Sequence, residues 1–187
     1  MTELLILGGV LVLYMTLLFI GSCVLKNNGV ADVGYGIGFL VLTVSTFFMR
    51  DEHSVFSYGL LILVSVWSLR LATRIFRKNR GKPEDFRYRA WREAWGKTFY
   101  VRSYFQVYLL QGAVIALVAS PVVLSILVSV PDVGELTVCG LLMSMMGITI
   151  EAQSDRQLDR FLGNPNRTGR IMKTGLWRYS RHPNYCG

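Results

Sequence analysis

Charge is scarce in this sequence. Of its 187 residues only 17% are Asp, Glu, Lys or Arg, against 52% hydrophobic. Mean hydropathy is +0.39. A soluble domain carries roughly 25% charge, so an ordinary soluble domain is excluded. The same apolar excess excludes a disordered chain. Cysteine is scarce too: Cys23, Cys139 and Cys186 stand far apart, with no CxxC pair. That excludes a disulfide framework, a thioredoxin motif and a zinc site. Two of the three thiols lie in apolar runs and read as small core hydrophobes. No internal repeat or low-complexity linker is visible. No GxGxxG opens a helix, which leaves no Rossmann fingerprint.

What is abundant is uncharged sequence in long runs. Residues 4–25, LLILGGVLVLYMTLLFIGSCVL, hold no charge. At about 1.5 Å per residue, such a helix crosses a hydrocarbon core about 30 Å thick. No Lys or Arg precedes it, so it does not read as a typical secretory signal. Further runs follow at 33–49, 55–69, 104–130 (with Pro121) and 133–150. The second and third are short, and flanking Arg side chains are expected to snorkel. The fold predicted is all-α, a polytopic transmembrane helical bundle of about five helices in a single membrane domain, 1–187. Helices are placed near 4–25, 33–49, 55–73, 104–130 and 133–150. A basic loop spans 74–103 and a motif segment 151–187.

The basic residues set the expected orientation. Five crossings put nineteen of the twenty Lys and Arg on one side, leaving Arg50. Glu3, Asp51, Glu52, Asp132 and Glu135 fall on the other side. The positive-inside rule then puts the N-terminus outside or lumenal and the C-terminus in the cytoplasm, in a membrane left open. The net charge of +8 reads as this topology signal, and a nucleic-acid partner is set aside. Residues 77–102 alternate charge with Trp and Tyr, as an interfacial stretch does. Residues 151–187 mix charge, aromatics, Gly and Pro and read as a structured polar loop.

Three places hold the chemistry. Glu151 and Asp155 are four apart and share one helix face. They read either as a solvated helix end or as acceptors for a ligand's hydroxyl and amide groups. Arg170, Arg178, Arg181 and His182 form a dense donor set, and Arg forks suit phosphate. Pro183 fixes the turn, Asn184 offers donor and acceptor, and Tyr185 offers a stacking face. Asp32 and Tyr35 lie near a membrane boundary, where an ionisable residue is a functional candidate, while Asp32 also reads as an interfacial loop residue. Gly34, Gly36 and Gly38 read as a small-residue helix contact.

The stretch GLWRYSRHPNYCG resembles the RHPNYxGE signature of a family of integral membrane proteins that groups with the C-terminal domain of steroid 5α-reductases. Asp32–Phe39, Trp67–Arg74 and Gly147–Glu151 with Asp155 and Gln157 match as well, so the likeness covers nearly the whole chain. Isoprenylcysteine and phospholipid methyltransferases share a distant Arg-His-Pro element. The resemblance implies a membrane enzyme binding NADPH from the cytoplasmic side. Its implied cofactor residues are Glu151, Asp155, Arg170, Arg181, His182, Asn184 and Tyr185. The implied reaction is reduction of a lipid or steroid-like enone, an oxidoreductase acting on CH–CH groups.

Two departures stand out. The Tyr acid of the steroid reductases aligns best with Leu71, so the expected proton donor is missing there, and Asp32 and Tyr35 are the catalytic candidates to fill that role. That bears on a steroid substrate and leaves reductase chemistry in general standing. Family members also continue past the position of Gly187 with about two more membrane helices, so a chain ending here is expected to be truncated. The competing readings are a membrane methyltransferase using S-adenosylmethionine on a lipid, and an inactive or scaffold member. The seven basic residues between 156 and 181 favour NADPH, with its phosphates, over cationic S-adenosylmethionine.

Overall fold

The computed structural model describes residues 1–128, 134–165, 169 and 171–185. Among them the chain is all-helical, with five helical stretches long and apolar enough to cross a membrane. They belong to two compact units, residues 1–132 and 133–187.

In the first unit, α1 spans Thr2–Leu25, α2 Gly29–Phe48 and α3 Val55–Asn79. A short helix α4, Phe86–Trp95, follows. It leads through a 3₁₀ turn at Gly96–Thr98, α5 (Phe99–Ser103) and a π-helical stretch (Tyr104–Leu109) into α6, Leu110–Leu127. The helix α1 turns one row inward, Leu7, Leu11, Met15 and Ser22, and leaves Leu5, Leu13, Leu17 and Ile20 exposed. A helix apolar all round with a single buried row suits a lipid surround.

The helix α2 is the centre of this unit and packs against α1, α3 and α6. Its glycines explain how. A Cβ on Gly36 would sit 3.3 Å from the Ala72 nitrogen and 3.4 Å from the Ser68 carbonyl oxygen of α3. A Cβ on Gly34 would strike the tip of Leu18 in α1, and one on Gly38 would meet Ile115 in α6. The three glycines thus admit three different helices. Between apolar helices in lipid, close packing of this kind holds the bundle, because burial gains little there. The expected small-residue contact is present.

Several boundaries differ from the sequence reading. The start of α2 is Gly29 and not residue 33, because the Asn27 side chain accepts from the Gly29 amide at 2.8 Å. A donor orphaned at the helix start is thereby satisfied. The helix α3 runs to Asn79 and not 73, with Arg77 and Lys78 in its last turn. Cations there complement the helix dipole. The basic loop expected at 74–103 is largely helical. The Asp85 side chain caps α4 by accepting from the Arg87 amide at 2.9 Å. The end of the fourth span near 130 lies outside the described residues.

In the second unit, α7 spans Glu135–Leu162, twelve residues beyond the expected end at 150. The expected polar loop therefore begins as a helix. Beyond Asp155 its charged residues alternate in sign through Arg156, Asp159 and Arg160, a pattern that supports a solvated helix surface. The helix ends at Gly163, whose amide donates to the Asp159 carbonyl. Short 3₁₀ turns follow at Gly175–Arg178 and Pro183–Tyr185.

Candidate functional site

Two groups of polar side chains stand out, one in each unit. In the first, Asp32 lies in the first turn of α2. Its Oδ1 accepts from the Tyr88 hydroxyl at 2.7 Å. The Arg87 guanidinium stands 3.5 Å from its other oxygen. Tyr88 is 3% exposed and the Asp32 side chain 22%, so a buried phenol meets a carboxylate that keeps an edge to solvent. Arg87 also donates through Nε to Asp85 at 3.0 Å, which holds the Asp85 carboxyl below its usual range.

A second carboxylate locks the same corner. Glu84 accepts from the Asn28 amide at 2.8 Å and from two nitrogens of Arg92, at 2.9 and 3.2 Å. The Asn28 side chain donates to Ser103 at 3.1 Å. The Arg92 guanidinium lies 4.0 Å over the Phe99 ring. Glu84 thus ties the start of α2 to α4, and Arg92 ties α4 to α5. This rigid corner positions Tyr88 against Asp32.

Of the two catalytic candidates, Asp32 enters this group. Tyr35 sits one turn on, its ring edge-on to Phe39 at 5.3 Å. The tyrosine that bonds Asp32 is Tyr88. Sequence reading missed Tyr88, Glu84 and Arg92. The only signal was the alternation of charged and aromatic residues over 77–102, which was read as an interfacial surface. Asp32 and Tyr88 are 56 positions apart, and no local pattern relates them.

In the second unit, Glu151, Ser154 and Asp155 form the inward face of α7, at 8%, 0% and 4% exposure. That excludes a solvated helix end as the setting of the two carboxylates. The segment covering this face is held by α7 itself. Gln157 accepts from the Leu176 amide at 3.0 Å, and the Trp177 indole donates to the Ser154 carbonyl at 3.0 Å. Gly175 has φ +62°, and a Cβ there would collide with the Gln157 amide. Only glycine meets both demands.

The turn at Pro183–Tyr185 packs on α7. Pro183 is buried and Asn184 half-buried, while Arg178, Arg181, His182 and Tyr185 are exposed. The His182 and Tyr185 rings stack at 5.4 Å and 24°. The His182 amide donates to the Ser180 hydroxyl. Thus α7 and its covering segment gather Glu151, Asp155, Arg181, His182, Asn184 and Tyr185 in one compact unit. Arg170 lies outside the described residues.

The unit offers buried acceptors on the helix and exposed cationic donors on the segment. Among the described residues, none hydrogen-bonds the buried Asn184 carbonyl oxygen. Such a set suits a ligand carrying hydroxyl or amide donors at one end and anionic groups at the other. The described residues hold no group of three or more His, Cys, Asp or Glu placed to share a metal ion.

A family model described as "Protein of unknown function (DUF1295)" matches residues 18–187, so the chain belongs to that family, a membrane family related to steroid 5α-reductases. No curated protein and no solved structure matches.

Proposed function

We propose that this member of the DUF1295 family is a membrane-embedded, NADPH-dependent reductase of a lipid or steroid-like enone. The observation that carries the reading is the buried Glu151–Asp155 face of α7, covered by a segment that carries the exposed Arg181 and the half-buried Asn184.

The second unit fits the dinucleotide. The Asn184 carbonyl oxygen without a partner among the described residues suits the carboxamide N–H of a nicotinamide. The Asp155 and Glu151 carboxylates suit ribose hydroxyls, and Arg181 with His182 suits phosphate. Tyr185, largely exposed beside His182, offers a stacking face. NADPH, when bound, supplies the hydride that goes to the β-carbon of the enone. The seven basic residues between 156 and 181 support the reductase reading over the methyltransferase one, because they suit a phosphorylated ligand. Orientation is part of the proposal: N-terminus outside or lumenal, C-terminus cytoplasmic.

The test is consumption of NADPH by the purified protein in lipid discs, with and without a panel of enone lipids and steroids. Enone-dependent oxidation of NADPH with a saturated ketone as product supports the reading. Methyl transfer from S-adenosylmethionine to lipid in the same preparation, without NADPH oxidation, would overturn it.

A further inference from the structure

At the polar end of the first unit lies a cavity of about 450 Å³. Its walls are the corner between α1 and α2, the end of α3 and the loop of residues 80–85. Lys78, Arg80 and Lys82 line it, all three exposed. The single acidic lining residue, Asp85, is already engaged by Arg87. The rest of the lining joins an apolar wall of Leu25, Val30, Val33 and Phe76 to the polar Asn27 and Asn79. Leu25 and Phe76 remain 67% and 51% exposed in the packed unit.

These features sit at the edge of three membrane-spanning helices. The apolar run of α1 ends at Leu25, and α2 begins at Gly29. The cavity therefore straddles the boundary between hydrocarbon and headgroups. Its apolar wall lies where acyl chains run, and its cationic rim where headgroups lie. The N-terminus of α2 adds a partial positive charge to the rim. A soluble anion would satisfy the three cations and leave Leu25 and Phe76 bare. A zwitterionic lipid would cover the apolar wall and leave the cations uncompensated.

We propose that this cavity binds one anionic phospholipid, its phosphate headgroup held by Lys78, Arg80 and Lys82 and its chains laid against Leu25, Val33 and Phe76. The site is separate from the dinucleotide reading and stands whether or not the second unit binds NADPH. An anionic lipid there braces the loop that carries Glu84 and Asp85. It thereby supports the corner that holds Tyr88 against Asp32.

The experiment uses the whole protein in discs of phosphatidylcholine doped with spin-labelled phosphatidylglycerol. The immobilised fraction is measured against unlabelled competitors. Each basic residue near an anionic surface contributes about a fivefold preference. Arg80→Gln should therefore weaken phosphatidylglycerol binding about fivefold. The triple change Lys78→Gln, Arg80→Gln, Lys82→Gln should weaken it on the order of a hundredfold. A control triple, Arg77→Gln, Arg89→Gln, Lys97→Gln, removes as much charge outside the cavity and should change binding much less. Phe76→Ser should weaken the lipid without restoring affinity to inorganic phosphate. Equal losses in the two triples would overturn the site in favour of diffuse attraction. Full displacement of the lipid by inorganic phosphate would overturn the lipid as occupant. Because Arg80→Gln changes one exposed side chain, unchanged binding in that folded variant counts against the site even if the triple fails to fold.

Discussion

The Tyr88 hydroxyl donates to the Asp32 carboxylate at 2.7 Å, joining α4 to the first turn of α2 across 56 positions. Tyr88→Phe removes a donor from that carboxylate and should cost about 1.5–3 kcal/mol, the worth of a hydrogen bond to a charged group. Asp32→Asn should cost less, because its amide oxygen can still accept from the phenol. Thermal melts of the two variants and the parent check this. A Tyr88→Phe protein that melts like the parent would contradict the pair as a tie between α4 and α2.

Glu84 serves the same corner as a brace. Three donors converge on it: the Asn28 amide and two nitrogens of Arg92. Removing the carboxylate leaves them to find other partners, so Glu84→Ala should cost about 1.5–3 kcal/mol. Arg92→Ala should cost a similar amount, through both the ion pair and the stacking on Phe99. The double variant should cost less than the sum of the two, since each removes the same pair. Thermal melts of the four proteins in one detergent measure the coupling. Strict additivity would separate the two residues.

Close packing at Gly36 makes a different demand. Its neighbours are the backbone of Ala72 and Ser68, which cannot rotate away. Gly36→Val should destabilise by about 1–3 kcal/mol, as overpacking does. Gly34→Ala meets only the far end of the Leu18 side chain, which can turn aside. Its cost should be clearly smaller. Chemical denaturation in mixed micelles ranks the two. A larger loss for Gly34→Ala would contradict the account of α2 as packed tightest against α3.

The legible part of this molecule was the part written in local periodicity. Uncharged runs gave five spans, and the glycines at 34, 36 and 38 gave the packing face of α2. Helix ends were less legible. The capping of Gly29 by Asn27 and the run of α7 past Glu151 depend on side-chain bonds and balanced charges that apolar counting overlooks. The second-unit residues were found through a motif, and their spacing in sequence is short enough for one turn and one helix face to collect them. Tyr88 was not found. It is one of several aromatics in a charged stretch, and only the fold of 80–88 over the start of α2 singles it out.

The proposed orientation rests on the same charge count. The described loop residues Arg80 and Lys82 should lie on the cytoplasmic side, and Asp51 on the other face. In a background where the native cysteines are replaced, Arg80→Cys should resist a membrane-impermeant maleimide in intact cells. Asp51→Cys should react. The reverse pattern would invert the topology.

Dinucleotide binding by the second unit is the measurement that bears most directly on the whole reading. NADPH should be titrated into the purified protein, with Asp155→Asn, Arg181→Ala and Asn184→Ala measured and melted on the same footing. The parent should bind. Arg181→Ala should lose a charge-assisted contact worth about 1.5–3 kcal/mol, roughly ten- to a hundredfold in affinity. Asn184→Ala should lose a neutral hydrogen bond worth about 0.5–1.5 kcal/mol. Asp155→Asn, nearly isosteric, should weaken binding while the fold survives. A parent that binds, with three variants that melt and bind as it does, would contradict the assignment of this site. A parent that takes no NADPH at all would contradict the reductase itself.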